Sequence, residues 1–190
     1  MAATSSSQLK NICVLSGFRY GKYKEFVQAA IDLCRAIAER KLHLVNGGGD
    51  RGLSKLVSEA AFIRGSQVLG IIPKALKPLG YLPDPPTGEE LVVSGMQERI
   101  SEMLNHADDF IFLPGDLATL EALITFASWA HLNIHKKIHR FVKSKKLFIF
   151  ASTANELLDL LQAYKPEPDP MTLALDWATE DDGSNSRKKV

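Results

Sequence analysis

Three short turns in this chain carry the residue types that hold anions. Ser16-Gly17, the run Gly47-Gly48-Gly49-Asp50-Arg51-Gly52, and Pro114-Gly115-Asp116 each follow a short apolar run and precede a segment with helical spacing. Glycine lets backbone N–H groups come close to a phosphate, and the helix N-terminus behind it adds partial positive charge. Any one such turn is equally well explained as a tight strand-to-helix connection, but three together favour a nucleotide or sugar phosphate. The spacing matches neither the phosphate loop GxxxxGK[ST] nor the dinucleotide GxGxxG. His131, His135 and His139 recur every four residues. No carboxylate shares their face, so they read as a solvated basic helix end and no metal is expected. Lys136, Lys137, Arg140, Lys143, Lys145 and Lys146 extend them into a basic run with almost no interleaved aromatic beyond Phe141. That is a poor base-stacking surface, and nucleic acid is not an expected partner. Cys13 and Cys34 sit at apolar positions and read as small buried hydrophobes without a disulfide.

The elements that would present these turns follow from the apolar pattern. Residues 11–16 (NICVLS) form a β-branched strand, and Phe26, Ala30, Leu33 and Ile37 then fall at helical spacing. Residues 42–46 (LHLVN) make a second strand, and Leu53 to Ile63 a helix that ends at Gly65. Residues 67–72 (QVLGII) make a third strand. This β-α-β-α-β order with continuous apolar strands predicts an α/β fold, a Rossmann-like doubly wound parallel sheet in a single domain. Between 73 and 88 the five prolines Pro73, Pro78, Pro83, Pro85 and Pro86 predict a loop over the sheet edge. Helical spacing resumes from Met96 to Asn105, 109–113 (DFIFL) is a strand, and 117–132 is a long helix. Residues 147–150 (LFIF) are expected as a strand and 155–164 as a helix. The domain is thus expected over 11–164, with a polar lead at 1–10 and a polar tail at 165–190.

Several of these segments carry more than composition. VNGGGDRGL (45–53), GMQERISEM (95–103), LPGDLATLEAL (113–123) and SWAHLNIHKK (128–137) resemble, in the same order, motifs of the LOG (Lonely Guy) family. Its members are cytokinin riboside 5'-monophosphate phosphoribohydrolases, long labelled lysine decarboxylase-like, with motifs YGGGxxGLMG, DMHxRKxxM and PGGxGTxEE. The resemblance runs from residue 11 to 137 and resumes over 152–170. It implies a homodimer that hydrolyses the N-glycosidic bond of an adenine nucleotide monophosphate carrying an N6 prenyl-type group, releasing free cytokinin and ribose 5-phosphate without a cofactor. Carried onto matching positions, the catalytic residues are Arg99 and Glu121. Gly47, Gly48, Gly49, Gly115, Thr119 and Ser128 bind substrate or phosphate. The chemistry is coherent with that: cleavage passes through an oxocarbenium-like centre that a carboxylate stabilises or serves by activating water, while an arginine holds the anionic or leaving portion. Without the motif, Arg99 would read as a solvated helix cation near Glu98 or Glu102, and Glu121 as a carboxylate favoured by the helix dipole.

The chain also departs from those motifs. PGGxGTxEE becomes Pro114-Gly115-Asp116-Leu117-Ala118-Thr119-Leu120-Glu121-Ala122, so its second and third glycines and second glutamate are replaced. An aspartate at 116 is placed to cap the following helix through the amides of Ala118 or Thr119. Ile100 stands where the lysine after the motif arginine belongs, and 138–146 bridges directly where the family continues with a strand and a helix. One strand-helix unit is therefore expected to be missing near the C-terminal side. A non-catalytic nucleotide-binding or dimerising paralogue is the alternative these departures raise. Lysine decarboxylation is not expected, since no site for its usual pyridoxal cofactor is evident. The chain has 190 residues, 45% hydrophobic and 24% charged, and its 23 basic against 22 acidic residues leave a formal charge of +1. That excludes a disordered or collagenous chain and any global field drawing it to nucleic acid or a membrane surface. No apolar run is long enough to span a bilayer, and no apolar secretory segment opens the sequence, so a cytoplasmic protein, with the nucleus also open to it, is expected.

Overall fold

The computed structural model describes residues 9–49, 51–79, 87–132, 134 and 149–164. Five parallel strands make one sheet: β1 (Asn11–Leu15), β2 (His43–Asn46), β3 (Val68–Pro73), β4 (Glu89–Val93) and β5 (Asp109–Phe112), in the spatial order β4-β3-β2-β1-β5. The helices are α1 (Lys24–Glu39), α2 (Gly52–Ile63), α3 (Met96–His106), α4 (Leu117–His131) and α5 (Ala154–Ala163). The chain starts at β1, moves outward through β2 and β3 to β4, then returns to place β5 on the other side of β1. The gap between the carboxyl ends of β1 and β5 is therefore the switch point, where an open α/β sheet collects its ligands.

Side chains alternate along each strand and divide the core into two layers. Ile12, Val14, Leu44, Val68 and Ile111 face α1, α2 and α5, packing with Leu33, Ile37, Leu53, Val57 and Leu158. Cys13, Leu15, Val45, Ile71 and Phe110 face α3 and α4, packing with Ile100, Met103, Leu104, Ala122 and Phe126. Both faces of the sheet are covered, which is why its central strands read as unbroken apolar runs.

Three findings differ from the sequence expectations. The 73–88 stretch holds a 3-10 helix at Lys74–Leu79, and the sheet continues after it into β4, a strand the sequence pattern does not mark. β4 is an edge strand with two glutamates and one fully buried residue, Val93, so it lacks both the apolar run and the clean alternation of a buried strand. Of the expected strand at 147–150, residues 147–148 lie outside the described residues. Ile149 and Phe150 are irregular, and Phe150 is 87% exposed, so they form no strand there. Leu9, assigned to the polar lead, is buried in the α1/α2 layer of the core. The rest of that lead (1–8), the tail (165–190), His135, His139 and the basic run from Lys136 to Lys146 lie outside the described residues. No described helix is long and apolar enough to cross a membrane.

Candidate functional site

All three glycine turns sit at carboxyl ends of strands and reach one another through the backbone. The turn after β1 meets the turn after β5: Gly17 N–H donates to the Pro114 carbonyl at 3.2 Å, and a Cβ on Gly17 would lie 2.7 Å from Gly115 Cα. It also meets the start of α2, where Ser54 N–H donates to the Gly17 carbonyl at 3.3 Å. Gly52, with φ +59, lies so close to the Phe18 and Arg19 backbone that an added Cβ would stand 2.3 Å from Phe18 C. A left-handed conformation and a backbone contact together leave only glycine there.

Within the triple-glycine turn each residue has a different neighbour. Gly48 has φ +67, packs on Ile72, and donates its N–H to Asn46 Oδ1 at 2.6 Å. Gly49 packs on Phe18 and Ser54. Gly47 is held by Arg99: Nη2 donates to the Gly47 carbonyl at 3.2 Å while Nε donates to the Ile71 carbonyl at 3.0 Å. The guanidinium thus spans the ends of β2 and β3 from its seat on α3, using two of its five N–H donors.

Burial pushes the Arg99 guanidinium below its ordinary pKa, while Cys13 and the Glu121 carboxylate pull it back up. Cys13 itself is pushed up to about 12 by burial, against the opposing charge of Arg99, and so remains a neutral thiol. Arginine stays charged in proteins. Among the described residues, the formal anion whose charge acts on this half-buried cation at the ends of β2 and β3 is Glu121. That residue is exposed on the second turn of α4, makes no ion-pair contact with Arg99, and accepts a hydrogen bond from Thr125 Oγ1 at 3.5 Å. The Glu121 carboxylate is exposed and so open to a substrate.

Asp116 caps α4 as the sequence suggests: its Oδ1 accepts from the N–H groups of Ala118 at 3.1 Å and Thr119 at 3.3 Å. Gly115 lies under Thr119, whose Oγ1 would stand 2.2 Å from an added Cβ. The structure thus places Gly47, Gly48, Gly49, Arg99, Gly115, Thr119 and Glu121 along the carboxyl edge of the sheet, from the ends of β3 and β2 to the switch point. Ser128 is not grouped with them. It lies exposed on α4, roughly 13 Å along the helix axis from Thr119 at 1.5 Å per residue. His131 is exposed in the last turn of α4. Among the described residues no three His, Cys, Asp or Glu side chains come together as metal ligands.

Asn46 is the site residue that sequence reasoning missed, although an asparagine just before a glycine turn is a recognisable signal, because it bonds backbone two residues on. It is 2% exposed, and its Nδ2 has no hydrogen-bond partner among the described residues. It lines a recess of about 20 Å³ with Gly48, Gly49, Gly70, Thr87 and Glu89, room for about one water. A larger concavity of about 410 Å³ opens at the opposite, amino end of the strands, beside His43, Ser66 and His106, and contains none of the glycine turns.

Comparison with known proteins gives a consistent result. A family model described as "Possible lysine decarboxylase" matches residues 54–162. The cytokinin riboside 5'-monophosphate phosphoribohydrolase LOG7 of Arabidopsis thaliana is 36% identical over 197 residues, covering 91% of this chain and 90% of that protein. The phosphoribohydrolase LOG of Oryza sativa subsp. japonica, named for the same substrate, is 38% identical over 185 residues, covering 85% of this chain and 76% of its own. Among solved structures, the Moco carrier protein from Chlamydomonas reinhardtii superimposes with a TM-score of 0.57 over 82% of this chain and 99% of that one. At 15% identity this likeness concerns the fold alone. The 197 aligned positions with LOG7 exceed the residues that 91% of this chain supplies, about 173, by about 24. The alignment therefore carries about 24 positions that this chain lacks. Among the described residues no strand stands between α4 and α5.

Proposed function

The chain belongs to the LOG family, and from that membership we propose that it is a nucleotide N-glycosidase that activates cytokinins. It hydrolyses the N-glycosidic bond of cytokinin riboside 5'-monophosphates: water adds at C1' of the ribose, the bond to the adenine nitrogen breaks, and the proton goes to the departing base. The observation that carries the reading is Arg99, pinned to the Gly47 and Ile71 carbonyls at the carboxyl ends of β2 and β3 with Glu121 acting on its charge. In this reading Glu121 stabilises the oxocarbenium-like centre or takes the proton of the attacking water, a proton that then passes to the departing base, and Arg99 holds the anionic or leaving portion. The glycine turns and Thr119 receive the ribose phosphate, and no metal or organic cofactor takes part.

The same reading makes the protein a homodimer. Leu117, Leu120 and Ile124 are 83%, 52% and 55% exposed along one side of α4, an apolar stripe suited to a second copy. Ser128 lies on the exposed surface of the same helix, where a partner would meet it. Two buried, unpaired thiols suit a reducing compartment and support a cytoplasmic, and also nuclear, location. Residues 11–164 act as the LOG-like unit, with 1–10 and 165–190 as polar extensions.

Incubating the full chain with isopentenyladenosine 5'-monophosphate and separating the products by chromatography tests the activity. Free base together with ribose 5-phosphate is expected. Bound but uncleaved nucleotide would replace the enzyme with the non-catalytic binding paralogue, which the altered turn at Asp116 favours as the second reading.

A further inference from the structure

We propose that Asp116 is a specificity residue that lowers the value of the 5'-phosphate, so that this chain distinguishes a riboside 5'-monophosphate from the uncharged riboside less sharply than it would with glycine at 116. The inference rests on the N-glycosidase reading for its substrate class and on this chain's own geometry for the rest.

A helix N-terminus attracts phosphate because its first amides have no acceptor within the helix. In α4 two of those donors are already engaged. The Asp116 carboxylate takes the N–H groups of Ala118 and Thr119, and the next one in, Leu120, closes on the Asp116 carbonyl at 3.0 Å. The Thr119 hydroxyl also lies 3.5 Å from the same Oδ1. One side chain therefore supplies both an acceptor for the donors and the negative charge that the helix dipole favours.

The neighbouring turn is occupied independently. Gly48 N–H is committed to Asn46 Oδ1 at 2.6 Å, and Asn46 is buried and fixed by its position at the end of β2. Two of the glycine turns at the carboxyl edge of the sheet thus hold oxygen atoms of the protein itself where a phosphate would look for donors. The two differ in kind: the asparagine is neutral, whereas the aspartate is an anion exposed beside the entrance. A phosphate arriving at α4 must displace the carboxylate from its amides or sit beside it, and repulsion between like charges at close range opposes the second course. An uncharged riboside meets neither obstacle.

The test compares the full-length wild type with Asp116→Gly and Asp116→Asn. Calorimetry measures the affinity of each for adenosine 5'-monophosphate and for adenosine. Hydrolysis is followed with isopentenyladenosine and its 5'-monophosphate. Asp116→Gly should raise the affinity ratio of monophosphate to nucleoside by about tenfold, the size of effect that a fraction of one close charge repulsion produces. The KM for the monophosphate should fall to match, with kcat and the KM for the riboside nearly unchanged. Asp116→Asn keeps an acceptor on the amides but removes the charge, and should raise the ratio several-fold. It also decides the matter if the glycine variant fails to fold. An unchanged ratio in both variants, or a lower one, overturns the proposal. If no variant cleaves either substrate, the N-glycosidase reading fails, while the binding ratio still decides the role of Asp116.

Discussion

Replacing Gly47 with alanine is a sharp test of whether the placement of Arg99, beyond its presence, matters. The added Cβ would lie 2.2 Å from Arg99 Nη2. Restoring ordinary contact at 3.4 Å requires the guanidinium to withdraw by about 1.2 Å. Gly47 is not among the residues with positive φ, so alanine meets no backbone strain, and what it strikes is the far end of a flexible side chain. The fold should survive. The loss of the Nη2 bond to the Gly47 carbonyl, a hydrogen bond from a charged donor, should lower stability by about 1.5 kcal/mol. Activity should fall much further, because a displacement of about 1 Å at a catalytic group costs on the order of a hundredfold in rate. The assay is kcat/KM for isopentenyladenosine 5'-monophosphate together with urea unfolding, for Gly47→Ala, Arg99→Ala and the double variant. With Arg99 already truncated the clash disappears, so Gly47→Ala should then remove little more activity. Wild-type kcat/KM in Gly47→Ala, or the same fold loss in both backgrounds, would refute the reasoning.

Other outcomes follow from the same geometry. Arg99→Ala and Glu121→Gln should each reduce turnover at least a hundredfold, on the order of 2.7 kcal/mol of transition-state stabilisation. Because Glu121 is exposed, its substitution should leave the unfolding midpoint in place, and wild-type rates in both variants would show that these residues are wrongly assigned. Light scattering at micromolar concentration should give twice the 20.9 kDa chain mass, reduced to the single mass by Ile124→Asp; a monomeric wild type counts against the dimer. Burial pushes both thiols up to about 12, so Cys13 and Cys34 stay protonated at pH 8 and should react with a thiol reagent only on unfolding. Rapid labelling of the native protein would contradict their burial.

What was legible in the sequence divides by the range of the contact. Strands β1, β2, β3 and β5 showed as apolar runs because helices cover both sides of the sheet, and α1 to α4 showed through their spacing and the glycines that bound them. The Asp116 cap was legible for the same reason, since its acceptor and donors lie two and three residues apart. β4 was hidden because an edge strand needs apolar residues only where it touches the core, and Glu89 and Glu90 do not look like a strand without β3 beside them. Ile149 and Phe150, the described end of the run at 147–150, misled in the opposite direction: a short apolar run is a strand only if a sheet edge receives it.

The decisive site contact is the one no local rule could supply. Arg99 reaches a carbonyl 28 residues away on β3 and another 52 residues away at the end of β2. From its own helix Arg99 reads as a surface cation, and from its own turn Gly47 reads as one glycine of three. Only when β2 and β3 lie side by side do the two positions explain each other: the guanidinium needs the space a Cβ would fill, and the strand ends need a donor. The spacing of motifs along the chain carried that information as a pattern of residue types, and parallel pairing of the strands turns it into a cation fixed at the carboxyl ends of β2 and β3. The departures at Asp116 and Asn46 belong to a different class. They change which donors remain open to a ligand while leaving Arg99 anchored, so substrate preference can vary in this fold without disturbing the cation.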